Sequence, residues 1–190
     1  MLNIALFGPP GSGKGTQSKK LIEKYNLAYI STGDMLRAEI AEGSELGKRI
    51  KSVMDAGELV SDELIVQILE KKIKSLSNAD GILFDGFPRN LVQAYILTGL
   101  LAKLNTELTA MLSLEVPEEE LMQRMLKRAE IEGRSDDKPE TIKNRFKQYE
   151  EKTKPVAEFY KEMNRLYAID GLGSIEDIFS RLTKVIDGLK

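Results

Sequence analysis

Cysteine, histidine and tryptophan are all missing from this 190-residue chain. Without cysteine there is no disulfide and no thiolate metal site, so a structural zinc on cysteines is excluded. Without histidine the commonest general base is gone, and any catalysis must run on carboxylates, cations, backbone amides and bound metal. Long hydrophobic runs are missing too. The uncharged stretch Leu91 to Ala102 is too short to span a bilayer. The N-terminal apolar run is too short for a signal-peptide core and has no basic lead, so a cytoplasmic location is expected. Neither sign of charge dominates. A formal net charge of −2 argues against a nucleic-acid or membrane partner recognised over a whole surface. At 42% hydrophobic and 31% charged, the chain reads as a soluble globular domain with one sizeable core.

What is present begins with Gly8-Pro9-Pro10-Gly11-Ser12-Gly13-Lys14-Gly15-Thr16. The apolar run Leu2–Phe7 precedes it and a helical pattern from Gln17 follows. Strand, glycine loop, lysine and helix is the arrangement that wraps a polyphosphate. Glycines let backbone N–H groups turn inward to phosphate oxygens, the helix adds its positive N-terminal end, and Lys14 supplies a mobile charge. One residue departs from the general pattern. Gly15 stands where a magnesium-binding Ser or Thr is usual, and the hydroxyl follows at Thr16. The alternative, a glycine-rich turn without a ligand, fits the spacing and context less well.

Strand-like runs alternate with longer helical patterns along the whole chain, the signature of a parallel α/β sheet. Strands are expected near Leu2–Phe7, Ala28–Ile30, Gly81–Asp85, Ala110–Val116 and Leu166–Ile169. A long helical insertion runs from Ser31 to about Leu76, punctuated by Gly43, Gly47 and Gly57, with a fresh start at Ser61-Asp62-Glu63. Asn90 fits an N-cap for Leu91–Leu104. Pro117 and three following glutamates open a helix to about Ala129. Asp137 and Glu140 resemble a capping box before a helix over Thr141–Met163, which Pro155 should kink or break. A last helix follows Ser174 and ends near Leu189.

Three of these strands end in polar segments: Gly8 onward, Ser31-Thr32-Gly33-Asp34, and Asp85-Gly86-Phe87-Pro88-Arg89. Ligands of open α/β sheets collect at the carboxyl ends of strands, so the three segments should share one crevice. Asp85 is placed to hold magnesium through water, or to cap a turn before Gly86. Asp34 fits a helix N-cap. Of the nine arginines, six (Arg37, Arg89, Arg124, Arg128, Arg134 and Arg145) fall where a phosphate crevice and its cover should be. Arg124 and Arg128 could instead pair with Glu120 and neighbouring acids, and Asp136 and Asp137 could pair with arginines or cap a helix.

The segments Gly8–Thr16, Ser31-Thr32-Gly33-Asp34-Met35-Leu36-Arg37 and Asp85–Arg89, with Gln93 beyond, resemble the adenylate kinase family of nucleoside monophosphate kinases. The likeness extends to Asp170-Gly171-Leu172-Gly173, and the Gly-Lys-Gly-Thr variant is that family's own form. The resemblance implies one three-layer P-loop α/β domain with a five-stranded parallel sheet flanked by helices. Its core would be residues 1–30, 61–126 and 138–190. Residues 31–60 would form a helical monophosphate-binding insertion and 127–137 a short lid.

It implies reversible phosphoryl transfer from Mg·ATP to AMP, giving two ADP, by a monomer. Gly11, Ser12, Gly13, Lys14, Gly15 and Thr16 would bind ATP phosphates. Arg124 and Arg128 would also contact ATP, with Arg124 and Gly173 near its adenine. Thr32, Arg37, Glu58, Leu59, Val60, Gly86, Phe87, Pro88, Arg89 and Gln93 would bind AMP. Arg134 and Arg145 would bridge the two nucleotides. Lys14, Arg89, Arg124, Arg134 and Arg145 form the implied catalytic set, with Asp85 and Asp34 on magnesium through water. Similar families that phosphorylate UMP or CMP tend to carry Ala at the Thr32 position and Asn at the Gln93 position, so both residues here point to AMP. The Gln93 amide can pair with an adenine edge, or it can serve as the N3 partner of Asn90 in a capping box.

Overall fold

Among the described residues, five strands form one sheet: β1 (Leu2–Phe7), β2 (Leu27–Ser31), β3 (Gly81–Asp85), β4 (Ala110–Glu115) and β5 (Leu166–Asp170). They lie in the order β2-β3-β1-β4-β5, and every neighbouring pair is parallel. The structure is a computed structural model that describes residues 1–76 and 79–189. The helices are α1 (Lys14–Tyr25), α2 (Thr32–Ala41), α3 (Glu45–Asp55), α4 (Asp62–Lys74), α5 (Leu91–Lys103), α6 (Glu118–Glu132), α7 (Pro139–Gln148), α8 (Pro155–Glu162) and α9 (Ile175–Asp187). None of them is long and apolar enough to cross a membrane.

The strands read as continuous apolar runs because both faces of the sheet are covered. Successive side chains alternate between two cores. Ile4, Leu6, Leu83 and Leu112 face Leu21 of α1 and Leu182 and Ile186 of α9. Ala5, Phe7, Ile82, Phe84 and Met111 face Leu69 of α4, Leu97 and Leu101 of α5 and Tyr160 of α8. Each fully buried large apolar side chain contributes about 1.5–3 kcal/mol. A smaller cluster of Leu121, Met125 and Ile142 ties α6 to α7. This three-layer packing holds β1 between β3 and β4, so the loops that leave β1, β2 and β3 emerge along one edge.

Several local expectations need correction. Gly47 does not punctuate the insertion but lies inside α3. A Cβ there would collide with the Glu39 carbonyl oxygen, so the glycine is needed for the close approach of α2 and α3. Pro117 is the N-cap of α6 rather than part of its first turn, and the helix runs to Glu132, not Ala129. Asp137 and Glu140 make no capping box. The N-cap of α7 is Lys138, without a side-chain cap bond, because the Asp137 carboxylate is held by arginines instead. The helix over Thr141–Met163 is interrupted as Pro155 requires, but through a π-turn over Tyr149–Thr153. Pro155 cannot donate a backbone hydrogen bond, and the chain resets one residue earlier as Lys154 N–H donates to Tyr149 O at 2.8 Å.

Candidate active site

The loops leaving β1, β2 and β3 open into one cleft of about 1090 Å³. Every site residue anticipated from the sequence lines it, from the Gly11–Thr16 loop through Thr32, Asp34, Arg37, Glu58–Val60, Asp85–Arg89 and Gln93 to Arg124, Arg128, Arg134, Arg145 and Gly173.

The phosphate loop is built on close packing. Gly8 has φ of 138°, and a Cβ there would meet the Leu114 carbonyl oxygen of β4 at 2.8 Å. Gly13, in the left-handed region, is the N-cap of α1 and provides no side chain to cap it. The start of α1 thus carries no side-chain cap of its own. Lys14 folds back over the loop, its Nζ donating to Gly8 O at 2.8 Å, Pro9 O at 2.9 Å and Ser12 Oγ at 3.2 Å. Burial lowers its pKa to about 8. Asp85 acts against that shift, and Arg89, Arg145 and Arg128 add to it.

The ends of β2 and β3 are tied together. Thr32 Oγ1 donates to Gly86 O at 2.8 Å, and Arg89 Nε donates to the same carbonyl at 2.7 Å. Thr153 Oγ1, on the π-turn, donates to Arg89 O at 2.8 Å. Burial, with Arg145 and Arg37 nearby, lowers the Arg89 pKa to about 10 against the pull of Asp85. A guanidinium held this way remains charged at neutral pH while half-buried, which strengthens its pull on an anion. Asp85 Oδ2 accepts from Tyr29 OH at 3.0 Å.

Asp34 is not the N-cap of α2. Ser31 is, accepting from Asp34 N–H at 3.2 Å. The Asp34 carboxylate pairs with Arg37. Burial raises its pKa, and the Arg37 hydrogen bond and charge outweigh that, leaving it below its ordinary value. Gln93 does not close a capping box either. Asn90 Oδ1 accepts from Gln93 N–H at 2.8 Å, but the Gln93 side chain reaches Arg89 N–H and Asp62 instead.

The arginines of α6 and α7 sit among carboxylates. Arg124 Nε pairs with Glu120 at 2.7 Å, and its Nη2 donates to Gly171 O at 3.1 Å, which fastens it to the loop carrying Gly173. Arg128 grips Asp137 with two bonds, of 2.6 and 2.7 Å. Arg145 Nη1 shares the same carboxylate at 2.6 Å and meets Asp136 Oδ2 at 3.0 Å. Arg134 pairs with Glu132 at 2.6 Å. Polar bonds also join the end of α3 to the chain beyond α6. Ser135 Oγ donates to Asp55 Oδ1 at 2.6 Å, and Thr141 Oγ1 to Asp55 O at 2.9 Å. The end of α3 therefore touches the segment after α6.

Two residues in this network carried only weak signals in the sequence. Asp137, whose side chain is wholly buried, lay between arginines but was equally readable as a cap. Gln17, whose Nε2 donates to Ile175 O at 3.0 Å and which lines the cleft beside Gly173, gave no sign beyond its place after Thr16.

Comparison with known proteins agrees with this geometry. A family model described as adenylate kinase matches residues 6–165. A protein of Bacteroides fragilis named adenylate kinase is 49% identical over 189 residues, covering all of both chains. One of Bacteroides thetaiotaomicron with the same name is 48% identical over the same span. A third, of Stenotrophomonas maltophilia and again named adenylate kinase, is 48% identical over 98% of this chain and all of its own. With the match covering most of its length and a phosphate loop opening into a cleft lined by arginines, the chain belongs to the adenylate kinase family.

Proposed function

We propose that the chain transfers the γ-phosphoryl group of ATP reversibly to AMP, giving two ADP, as a cytoplasmic monomer. The observation that carries this reading is the convergence of Lys14, Arg89 and Arg145 in one cleft. The Gly11–Thr16 loop takes the ATP phosphates, with Arg124, Arg128 and Gly173 toward its base. Thr32, Arg37, Glu58–Val60, Gly86–Arg89 and Gln93 take AMP, and Arg134 and Arg145 lie between. On this reading residues 31–60 are a cover over AMP and 127–137 a lid over ATP, closing on the core formed by the rest. Relatives named adenylate kinase favour AMP over UMP or CMP as acceptor.

Phosphoryl transfer asks for alignment and charge neutralisation rather than covalent help. The acceptor phosphate is already an anionic nucleophile, so the lack of histidine is no obstacle. Arg89, anchored at its Nε by Gly86 O, presents its remaining donors to that phosphate. Lys14 and Arg145 meet the charge that develops on the transferring group. Closure of the covers keeps out water, which would otherwise compete as acceptor. The donor set suits a hydrated magnesium ion. Among the described residues no group of three or more carboxylates could encage a metal, while Asp85, oriented by Tyr29, and Asp34 can each accept from a metal-bound water. The ion would neutralise phosphate charge when bound.

Incubating the protein with ATP and a panel of monophosphates tests the reading. ADP should form with AMP. Turnover of UMP or CMP in preference would identify the related kinase, and no ADP with any acceptor would leave only a nucleotide-binding module.

A pH dependence follows from Lys14. In the free protein its ammonium titrates at about 8, and a bound polyphosphate favours the charged form. ATP binding therefore takes up a proton where Lys14 is neutral, and affinity should fall as pH rises. Between pH 7 and 9, without magnesium, linkage gives a loss of about tenfold. Titration calorimetry at the two pH values reads it, and Lys14→Met should abolish the difference.

A further inference from the structure

Gln93 lies at the AMP end of the cleft with 2% of its surface exposed. Its amide is held from both sides. Oε1 accepts from Arg89 N–H at 2.7 Å, and Nε2 donates to Asp62 Oδ1 at 2.7 Å. A backbone N–H can only donate and an ionised carboxylate can only accept. The two partners therefore decide which end of the amide is oxygen, a choice that glutamine by itself leaves open. Asp62 is fixed in turn. Its Oδ1 also accepts from Asn90 Nδ2 at 2.8 Å, and it is the first residue of α4, where the helix dipole favours a carboxylate.

After those two bonds the amide retains one N–H and one lone pair. A 6-aminopurine offers a donor at N6 and an acceptor at N1. A 6-oxopurine reverses both. An amide free to turn over could serve either base. One held from both sides suits one pattern and sets donor against donor and acceptor against acceptor in the other, leaving buried polar groups unpaired.

We infer that Asp62 is a specificity-determining positioning residue: by pinning Nε2 it holds the Gln93 amide in the sense that accepts an amino group on the acceptor base and rejects an oxo group. This rests on the reading above in which Gln93 meets the base of AMP. Asp62 touches no substrate in this scheme and acts through Gln93.

The test compares kcat/KM for AMP with that for inosine monophosphate, which differs in carrying oxygen in place of the amino group. In Asp62→Ala the amide is held on one side only, and the AMP-to-IMP ratio should fall about tenfold. Asp62→Asn retains an oxygen acceptor at the same place, so its ratio should stay within about threefold of the parent. Gln93→Leu provides the control. If Gln93→Leu collapses the ratio while Asp62→Ala leaves it unchanged, slowing both acceptors alike, Asp62 is merely structural and the inference is overturned. If Gln93→Leu itself leaves the ratio unchanged, the base does not meet Gln93, and the inference falls with that placement. Since Asp62→Asn preserves both the volume and the acceptor, it reports on discrimination even where the alanine variant folds poorly. A ratio collapsed in Asp62→Asn as far as in Gln93→Leu would also overturn the account, because there the oxygen acceptor alone would not be what matters.

Discussion

Lys14→Met should lower kcat for ADP formation by about a hundredfold or more, equivalent to some 3 kcal/mol of lost transition-state stabilisation. Methionine approaches lysine in length and packs well, so the change removes a charge while leaving the volume of the site nearly intact. Two effects combine. The Nζ group lies half-buried in the cleft, where partial desolvation has already lowered its pKa to about 8, so its charge is less shielded than in bulk water and acts more strongly on phosphate oxygens. The same group ties down the carbonyls of Gly8 and Pro9 and the Ser12 hydroxyl, which shapes the loop that receives the phosphates. The first loss falls on kcat and the second on KM for ATP, whereas KM for AMP should change little. Steady-state kinetics at saturating AMP, alongside circular dichroism to confirm folding, reads the difference. A folded variant that retained a third of the parental rate would remove Lys14 from the mechanism.

The phosphate loop was legible in the sequence because its chemistry is local. Glycines, lysine and hydroxyl sit within nine consecutive residues, and the loop needs only a strand before it and a helix after it. The same holds for the strands. Buried on both faces, Leu2–Phe7 and Gly81–Asp85 read as mainly apolar runs whatever their order in the sheet, and the observed bounds of β1 and β3 coincide with those expected. Asn90 and Ser174 announced the helices they cap, since capping depends on a side chain and a backbone N–H only three residues apart.

Less legible were features decided by tertiary partners. Gly47 looked like a break, but its role is set by the Glu39 carbonyl of another helix. Pro155 foretold an interruption without foretelling that it takes the form of a π-turn whose Thr153 hydroxyl supports Arg89. Asp62 looked like the opening of a helix and is one, yet its carboxylate is committed to Asn90 and Gln93, some thirty positions along the chain. The capping-box reading of Asp137 failed for the same reason. A short acidic side chain near a helix start satisfies local rules equally well whether or not two arginines converge on it, and only the packing of α6 against α7 decides.

That convergence makes Asp137→Ala the second large effect. The carboxylate accepts two bonds from Arg128 and one from Arg145, with its side chain wholly buried. Removing one member of a buried ion network leaves the others uncompensated, at a cost of about 3–5 kcal/mol to the arrangement that needs them together. Here that arrangement spans α6, the turn at Ser135–Asp137 and α7, so the cost falls on the packing of α6 against α7 and on the aim of Arg145. The expected result is a fall in kcat of about a hundredfold with a clear drop in Tm. Asp137→Asn, which retains one oxygen acceptor and the shape of the side chain, should lie between the alanine variant and the parent in both. The two measurements separate causes. If Tm falls while kcat of the remaining folded enzyme does not, Asp137 holds α6 and α7 together and Arg145 finds its place unaided. If kcat falls further than Tm accounts for, the carboxylate sets the guanidinium in line with the transferring phosphoryl group, because a small misplacement of a catalytic cation costs rate far out of proportion to its energy of folding.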